Sequence, residues 1–295
     1  MLDHVADRLA GRVEAVSSNL VVGIDPRVPL PDGLVRGLAD TRAGLARAYE
    51  RYGIMIARAV APYACAVKPQ SAFFEALGGY GVTAFENVCR AAREEGLIVI
   101  ADVKRGDIAS TAKGYASATI AGHGDEPPLA DLATVNAYLG ADSLEPFLAA
   151  ADASGTGIFV LTRTSNAGGS DVQELVLADG GTVWERVAAI AGRLGEDRRG
   201  RSGLSSVGAV VGLTMPDAIR RVRDLAPHAP LLLPGLGAQG GLLEAAAPAF
   251  APHPAAGLVS ASRSVIEAWR ATPGEPAAAV AAAARKTARD LWALV

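Results

Sequence analysis

The sequence predicts an α/β fold, a single (β/α)8 barrel of the TIM type. Eight short apolar, β-branched runs recur at 20–24, 64–67, 97–101, 131–135, 157–161, 207–213, 230–233 and 257–259. Longer segments with helical spacing separate them, such as Leu45, Tyr49, Tyr52, Ile56 and Val60, or Val183, Val187, Ile190 and Leu194. Strict alternation of this kind implies parallel strands joined by crossovers. A doubly wound open sheet shares that pattern, including nearly continuous apolar strands such as 97–100. The barrel is favoured by the residues at or just past the run ends: Asp25, Lys68, Asp102, Asn136, Thr162, Thr214, Pro234 and Ser260. A barrel gathers those ends on one face, where active sites are built.

A length of 295 residues fits one such barrel, so 1–295 is read as a single domain with an N-terminal helix. Half the residues are hydrophobic and 20% are charged, which supplies a core and excludes disorder as the main state. A net charge of -3 argues against nucleic acid or an anionic membrane as the main partner. Cys65 and Cys89 lie in apolar stretches, which suits buried thiols in a reducing compartment and provides no disulfide framework. The first residues lack a basic segment followed by an apolar one, and no run approaches the 18 residues of a spanning helix. A soluble cytoplasmic protein is expected.

Taken in order, the first run is followed by a proline-rich polar loop at 26–41. The second run ends in Lys68 behind the small residues Ala64 and Ala66. An extended segment at about 163–206 follows the fifth run, with a glycine-rich start, one helix and the cluster Arg198, Arg199 and Arg201. That cluster reads as a solvated loop tip. The alanine-rich stretch from Pro276 reads as a closing helix.

The third run leads into Asp102-Val103-Lys104-Arg105-Gly106-Asp107-Ile108. In an extended chain Asp102 and Lys104 point to one side, which Ile98 and Ile100 share. A carboxylate and an ammonium thus meet at the rim of the core, within reach of Lys68 on the adjacent strand. A plainer reading makes these solvated charges, with Asp107 the N-cap of a helix through Ile108, Thr111 and Tyr115. Pairing is what makes charges tolerable at a partly buried barrel mouth. A lysine between carboxylates stays protonated and is held ready as a proton donor.

After the seventh run, Gly235, Gly237 and Gly240 let backbone N–H groups approach an anion, and Arg263 follows the eighth run at a helix start. Barrels often bind phosphate at these two loops. The same glycines match a dinucleotide fingerprint. That reading needs an acid at the end of the next strand, which here is Val259-Ser260-Ala261. A plain glycine turn is the other alternative. The four histidines, His4, His123, His228 and His253, are scattered and show no metal-ligand spacing with the cysteines.

The segment Asp102-x-Lys104-x-x-Asp107-Ile108, with Thr111 after it, resembles the signature of the orotidine 5′-phosphate decarboxylases, in their longer bacterial class. Asp25, Lys68, Thr164-Ser165-Asn166, the glycine loop with Gln239, and Arg263 follow in family order. The resemblance implies a (β/α)8 barrel that converts orotidine 5′-monophosphate to uridine 5′-monophosphate in pyrimidine synthesis, with no cofactor and no metal. It implies a tetrad of Lys68, Asp102, Lys104 and Asp107, with Asp107 and Thr111 reaching the neighbouring subunit's site in a homodimer and Ile108 a substrate-binding residue. It further assigns Asp25 and Lys68 to the ribose, Ser165 to the pyrimidine, and Gly235, Gly237, Gln239 and Arg263 to the phosphate. Ala109-Ser110 and Ser260-Ala261-Ser262 depart from patterns frequent in the family.

The implied chemistry leaves a carbanion at C6, stabilised by positioned charge and protonated by Lys104, while Asp102 stands to repel the substrate carboxylate. Two alternatives remain open at this point. A magnesium-dependent phosphosugar decarboxylase or aldolase on a similar barrel wants a second carboxylate where Lys68 stands. A non-catalytic nucleotide-binding barrel has no need of the tetrad.

Overall fold

The computed structural model describes residues 3–236 and 241–295. Among the described residues all eight expected runs are strands: β1 (Leu20–Ile24), β2 (Ala66–Pro69), β3 (Ile98–Arg105), β4 (Leu132–Val135), β5 (Gly157–Arg163), β6 (Val207–Val211), β7 (Leu231–Pro234) and β8 (Gly257–Ala261). They pair in parallel in chain order, and β1 closes on β8 with Leu20 opposite Val259. The largest departure from expectation is β3, which continues to Arg105 because it regains pairing with Val135 beyond an irregularity.

Strand alternation divides the core in two. Ile98, Ile100, Leu132, Phe159, Leu232 and Leu258 fill the barrel interior. The helix Val5–Val16 adds Val5, Leu9 and Val13 to that cluster and closes the end where the strands begin. Gly208 makes room for the Phe159 ring, since a Cβ there would lie 2.4 Å from Cε1. The alternate residues Val22, Val67, Val99 and Ala133 face outward into the layer beneath the helices. There the helix Arg42–Val60 buries Tyr49, Tyr52, Ile56 and Val60, the spacing read from the sequence.

The helix Val183–Gly195 starts in a capping box made by Thr182 and Glu185, and Pro276–Trp292 forms the closing helix. The stretch 26–41 is not all loop, since Asp32–Val35 makes one helical turn. The chain after β7 enters a 3-10 helix, Leu243–Phe250, with Pro248 inside it and lacking an N–H to donate. Arg198, Arg199 and Arg201 pair with Asp152, Glu196 and Asp7 at the surface. Both cysteines are buried and free, and burial pushes the Cys65 thiol up to about 12. Among the described residues no helix is long and apolar enough to cross a membrane.

Candidate active site

The ends of β1, β2 and β3 lie side by side, with Gly23 level with Lys68 and Gln70 bridging to Asp102. The Asp102 carboxylate therefore sits between two ammonium groups. Lys68 Nζ lies 2.5 Å from Oδ2, and Lys104 Nζ lies 2.5 Å from Oδ1. Lys68 and Asp102 are buried, whereas the Lys104 side chain is 47% exposed and opens to the barrel mouth. Burial alone would raise the Asp102 carboxyl, but the Lys68 and Lys104 charges and hydrogen bonds outweigh it and hold it at about 2. For Lys68, burial pulls the ammonium down, and the charges of Asp102 and Asp25 more than reverse that, leaving it raised. One anion thus accepts hydrogen bonds from two ammonium groups, one buried and one half-exposed.

Simple strand alternation accounts for Asp102 but not for Lys104. Between Ala101 and Arg105 the pairing with β4 shifts, and Lys104 takes φ 45°, a left-handed backbone rarely adopted outside glycine. Gly106 follows against Asn136, whose carbonyl oxygen would lie 2.9 Å from any Cβ there.

Three further side chains complete the cluster, and sequence reasoning missed them. Gln70 Nε2 donates to Asp102 Oδ2 at 3.0 Å, and the Thr134 hydroxyl donates to Oδ1 at 3.0 Å. Ser262 donates to Asp25 Oδ2 at 2.6 Å. The usable signal was alternation: Gln70 lies two residues past Lys68, and Thr134 two past the inward Leu132. Among the described residues Asp25 Oδ1 is buried with no hydrogen-bond partner, an acceptor left for something that enters the site. A cavity of about 420 Å³ opens beside Asp25, Gln70 and Lys104, with Arg27 stacked on Phe73 at its edge.

Asp107 is partly exposed and, among the described residues, no hydrogen bond or ion pair joins it to Lys68, Asp102 or Lys104. Its Oδ1 accepts from the Ile108 N–H at 2.8 Å. The plainer reading of Asp107 as an N-cap does not hold: Ile108 is the N-cap of the helix Ala109–Ser117, its side chain has no polar atom to cap with, and Asp107 bonds an amide outside the helix. Ile108 and Thr111 are exposed on that helix start.

Ser165 lies beyond β5 against Gly212, where a Cβ would come within 2.9 Å of the serine Cβ. The loop around it is clamped by Gln173, which accepts from Thr164 N at 2.9 Å and donates to Thr164 Oγ1 at 2.7 Å. Buried Arg163 donates to the Thr164 carbonyl at 2.6 Å and pairs with Glu174. These contacts supply the order in the extended segment that the sequence left unexplained. Gly235 follows β7 with φ 119°, which only glycine adopts freely. Arg263 opens the helix Arg263–Ile266 after β8 and is exposed. Gly237 and Gln239 lie outside the described residues.

A family model described as orotidine 5′-phosphate decarboxylase / HUMPS matches residues 18–281. The chain belongs to this family. A relative from Deinococcus radiodurans named orotidine 5′-phosphate decarboxylase is 44% identical over 266 residues, 90% of each chain. One of the same name from Rhodopirellula baltica is 41% identical over 269 residues, 90% of this chain and 89% of that one. The structure of Leishmania donovani OMP decarboxylase is similar with a TM-score of 0.75 and 32% identity, covering 99% of this chain and 98% of that one. The decarboxylase family thus carries the barrel and, on this chain, the Lys68–Asp102–Lys104 cluster at the mouth.

Proposed function

We propose that this chain is a carbon–carbon lyase that decarboxylates orotidine 5′-monophosphate to uridine 5′-monophosphate in pyrimidine biosynthesis, in the cytoplasm. The observation that carries the reading is one buried carboxylate, Asp102, holding the ammonium groups of Lys68 and Lys104 on its two oxygens. Loss of CO2 from C6 leaves an electron pair in the plane of the ring, which the ring carbonyls cannot delocalise. Stabilisation must come from fixed charge already in place. Lys104, at the open side of the cluster, gives C6 its proton and recovers one from solvent. Asp102, held at about 2, stays anionic at neutral pH, and its charge raises Lys68.

Proton donation contributes only about 10² to 10⁴ in rate, while large enzymatic accelerations need up to ~23 kcal/mol. The remainder is assigned to preorganised charge and to binding energy from the distant phosphate. The unpartnered Asp25 Oδ1 beside Lys68 suits a ribose hydroxyl. Ser165 is assigned to the pyrimidine, and Gly235, Gly237, Gln239 and Arg263 to the phosphate. No metal or cofactor enters the scheme: Lys68 puts an ammonium where the phosphosugar chemistry wants a cation ligand.

Asp107 and Thr111 are assigned to the site of a second subunit, and Ile108 to substrate binding. Supporting this, Ile108, Tyr115, Tyr138 and Leu139 are apolar and exposed around the ends of β3 and β4, a surface suited to a partner copy. The test is the ultraviolet change on adding purified protein to orotidine 5′-monophosphate. A spectrum that converges on that of the uridine nucleotide supports the reading, and an unchanged spectrum rejects it.

A further inference from the structure

Opposite the signature segment, β3 and β4 fall out of step. Ala101 pairs with Ala133 and Arg105 with Val135, so Asp102, Val103 and Lys104 together face the single residue Thr134. A bulge of this kind removes the ladder partners of the bulged residues. The Lys104 N–H is satisfied differently: it donates to Thr134 Oγ1 at 2.9 Å. The hydroxyl proton in turn goes to Asp102 Oδ1 at 3.0 Å, the same oxygen that receives Lys104 Nζ at 2.5 Å. One hydroxyl therefore ties the backbone of Lys104 to the carboxylate that anchors its ammonium. Thr134 is 1% exposed, so the hydroxyl is shielded from bulk solvent, and its β-branch restricts rotation about χ1.

We propose that Thr134 is a positioning residue for the decarboxylation: it stabilises the left-handed backbone at Lys104 and aims that ammonium along the line of proton transfer. The inference rests on the reading of Lys104 as the donor to C6. Thr134 acts through Lys104 and Asp102 rather than by touching substrate. Its hydroxyl serves as acceptor and donor at once, so an isosteric side chain without oxygen breaks both links while filling the same space.

The experiment compares the parent, Thr134→Val and Thr134→Ser for kcat, KM and thermal midpoint, and for exchange of the C6 hydrogen of uridine 5′-monophosphate in D2O. That exchange is the protonation step run in reverse. Loss of hydrogen bonds to charged groups should lower kcat of Thr134→Val about 10- to 100-fold, with KM within about threefold. Exchange should fall in parallel with kcat, and Thr134→Ser should regain most of both. Parental kcat and exchange in Thr134→Val overturn the proposal. So does a serine variant no better than valine, or a rate loss that merely tracks a lowered thermal midpoint, since either makes Thr134 a packing residue. A parent that neither forms product nor exchanges C6 brings down the underlying reading and this proposal with it, whereas an active parent with an unaffected valine variant overturns this proposal alone.

Discussion

Asp102→Asn removes the carboxylate charge that Lys68 and Lys104 share, and the structure sets the scale of the loss. Lys68 and Asp102 are 8% and 4% exposed, so the substitution leaves one ammonium buried and another half-buried around a neutral amide. Breaking a buried pair from one side costs about 3–5 kcal/mol. For a chain of 295 residues the unfolding entropy is about 0.6 kcal/mol per kelvin, so the thermal midpoint should fall by roughly 5–8 °C at pH 7.

The pH dependence separates this cause from general damage. In the parent, Asp102 lies at about 2 against an ordinary 3.8, so it contributes about 2 kcal/mol above pH ~4, lost as pH falls toward 2. Lys68 is raised above its ordinary 10.5, so its contribution is present below that value and lost as pH rises through the higher folded value. In the variant, Lys68 keeps its burial and loses Asp102, so deprotonation in alkali relieves it. The gap between parent and variant should therefore be widest from about pH 5 to 9 and narrow on both sides. Differential scanning calorimetry across pH measures it. A variant within 1 °C of the parent at pH 7, or a gap independent of pH, refutes the reasoning.

Arg263→Ala should lower kcat/KM for the phosphorylated substrate by about 1.5–3 kcal/mol while leaving orotidine nearly unaffected, and equal losses with both in steady-state assays assign Arg263 to the fold. Lys104→Ala and Asp107→Ala should each be nearly inactive alone. Mixed in equal amounts and allowed to exchange subunits, they should recover roughly a quarter of parental activity, because about half the dimers are mixed and each has one intact site. No recovery after demonstrated exchange places Asp107 outside a shared site. Excess EDTA should leave the rate unchanged, and a loss restored by Mg²⁺ transfers the assignment to phosphosugar chemistry.

Much of this architecture was legible because it rests on local alternation. The eight apolar runs marked the strands, and the polar residues at their ends marked the mouth, Lys68 and Asp102 among them, whereas the bulge after Ala101 rather than alternation sets Lys104 on the same carboxylate. What stayed hidden depends on register between strands. Thr134 reads as one more residue of an apolar run until the shifted pairing sets it opposite Asp102 and Lys104. Gln70 and Ser262 were hidden for the same reason, each bonding a carboxylate on another strand or loop. The clamp formed by Arg163, Gln173 and Glu174 joins residues about ten apart within irregular chain, where no period exists to reveal it. The plainer alternative for Asp107, an N-cap, suits its sequence context, while its side chain bonds the next amide, just outside the helix.

The central claim is that Lys104, held on Asp102, protonates C6 as CO2 leaves. It is tested most directly by converting orotidine 5′-monophosphate in D2O with the parent and with Lys104→Ala, and measuring CO2, product and deuterium at C6. The account predicts one CO2 per uridine 5′-monophosphate, deuterium at C6, and a rate at least about 10²-fold lower in the variant. A folded Lys104→Ala protein that works at the parental rate contradicts it.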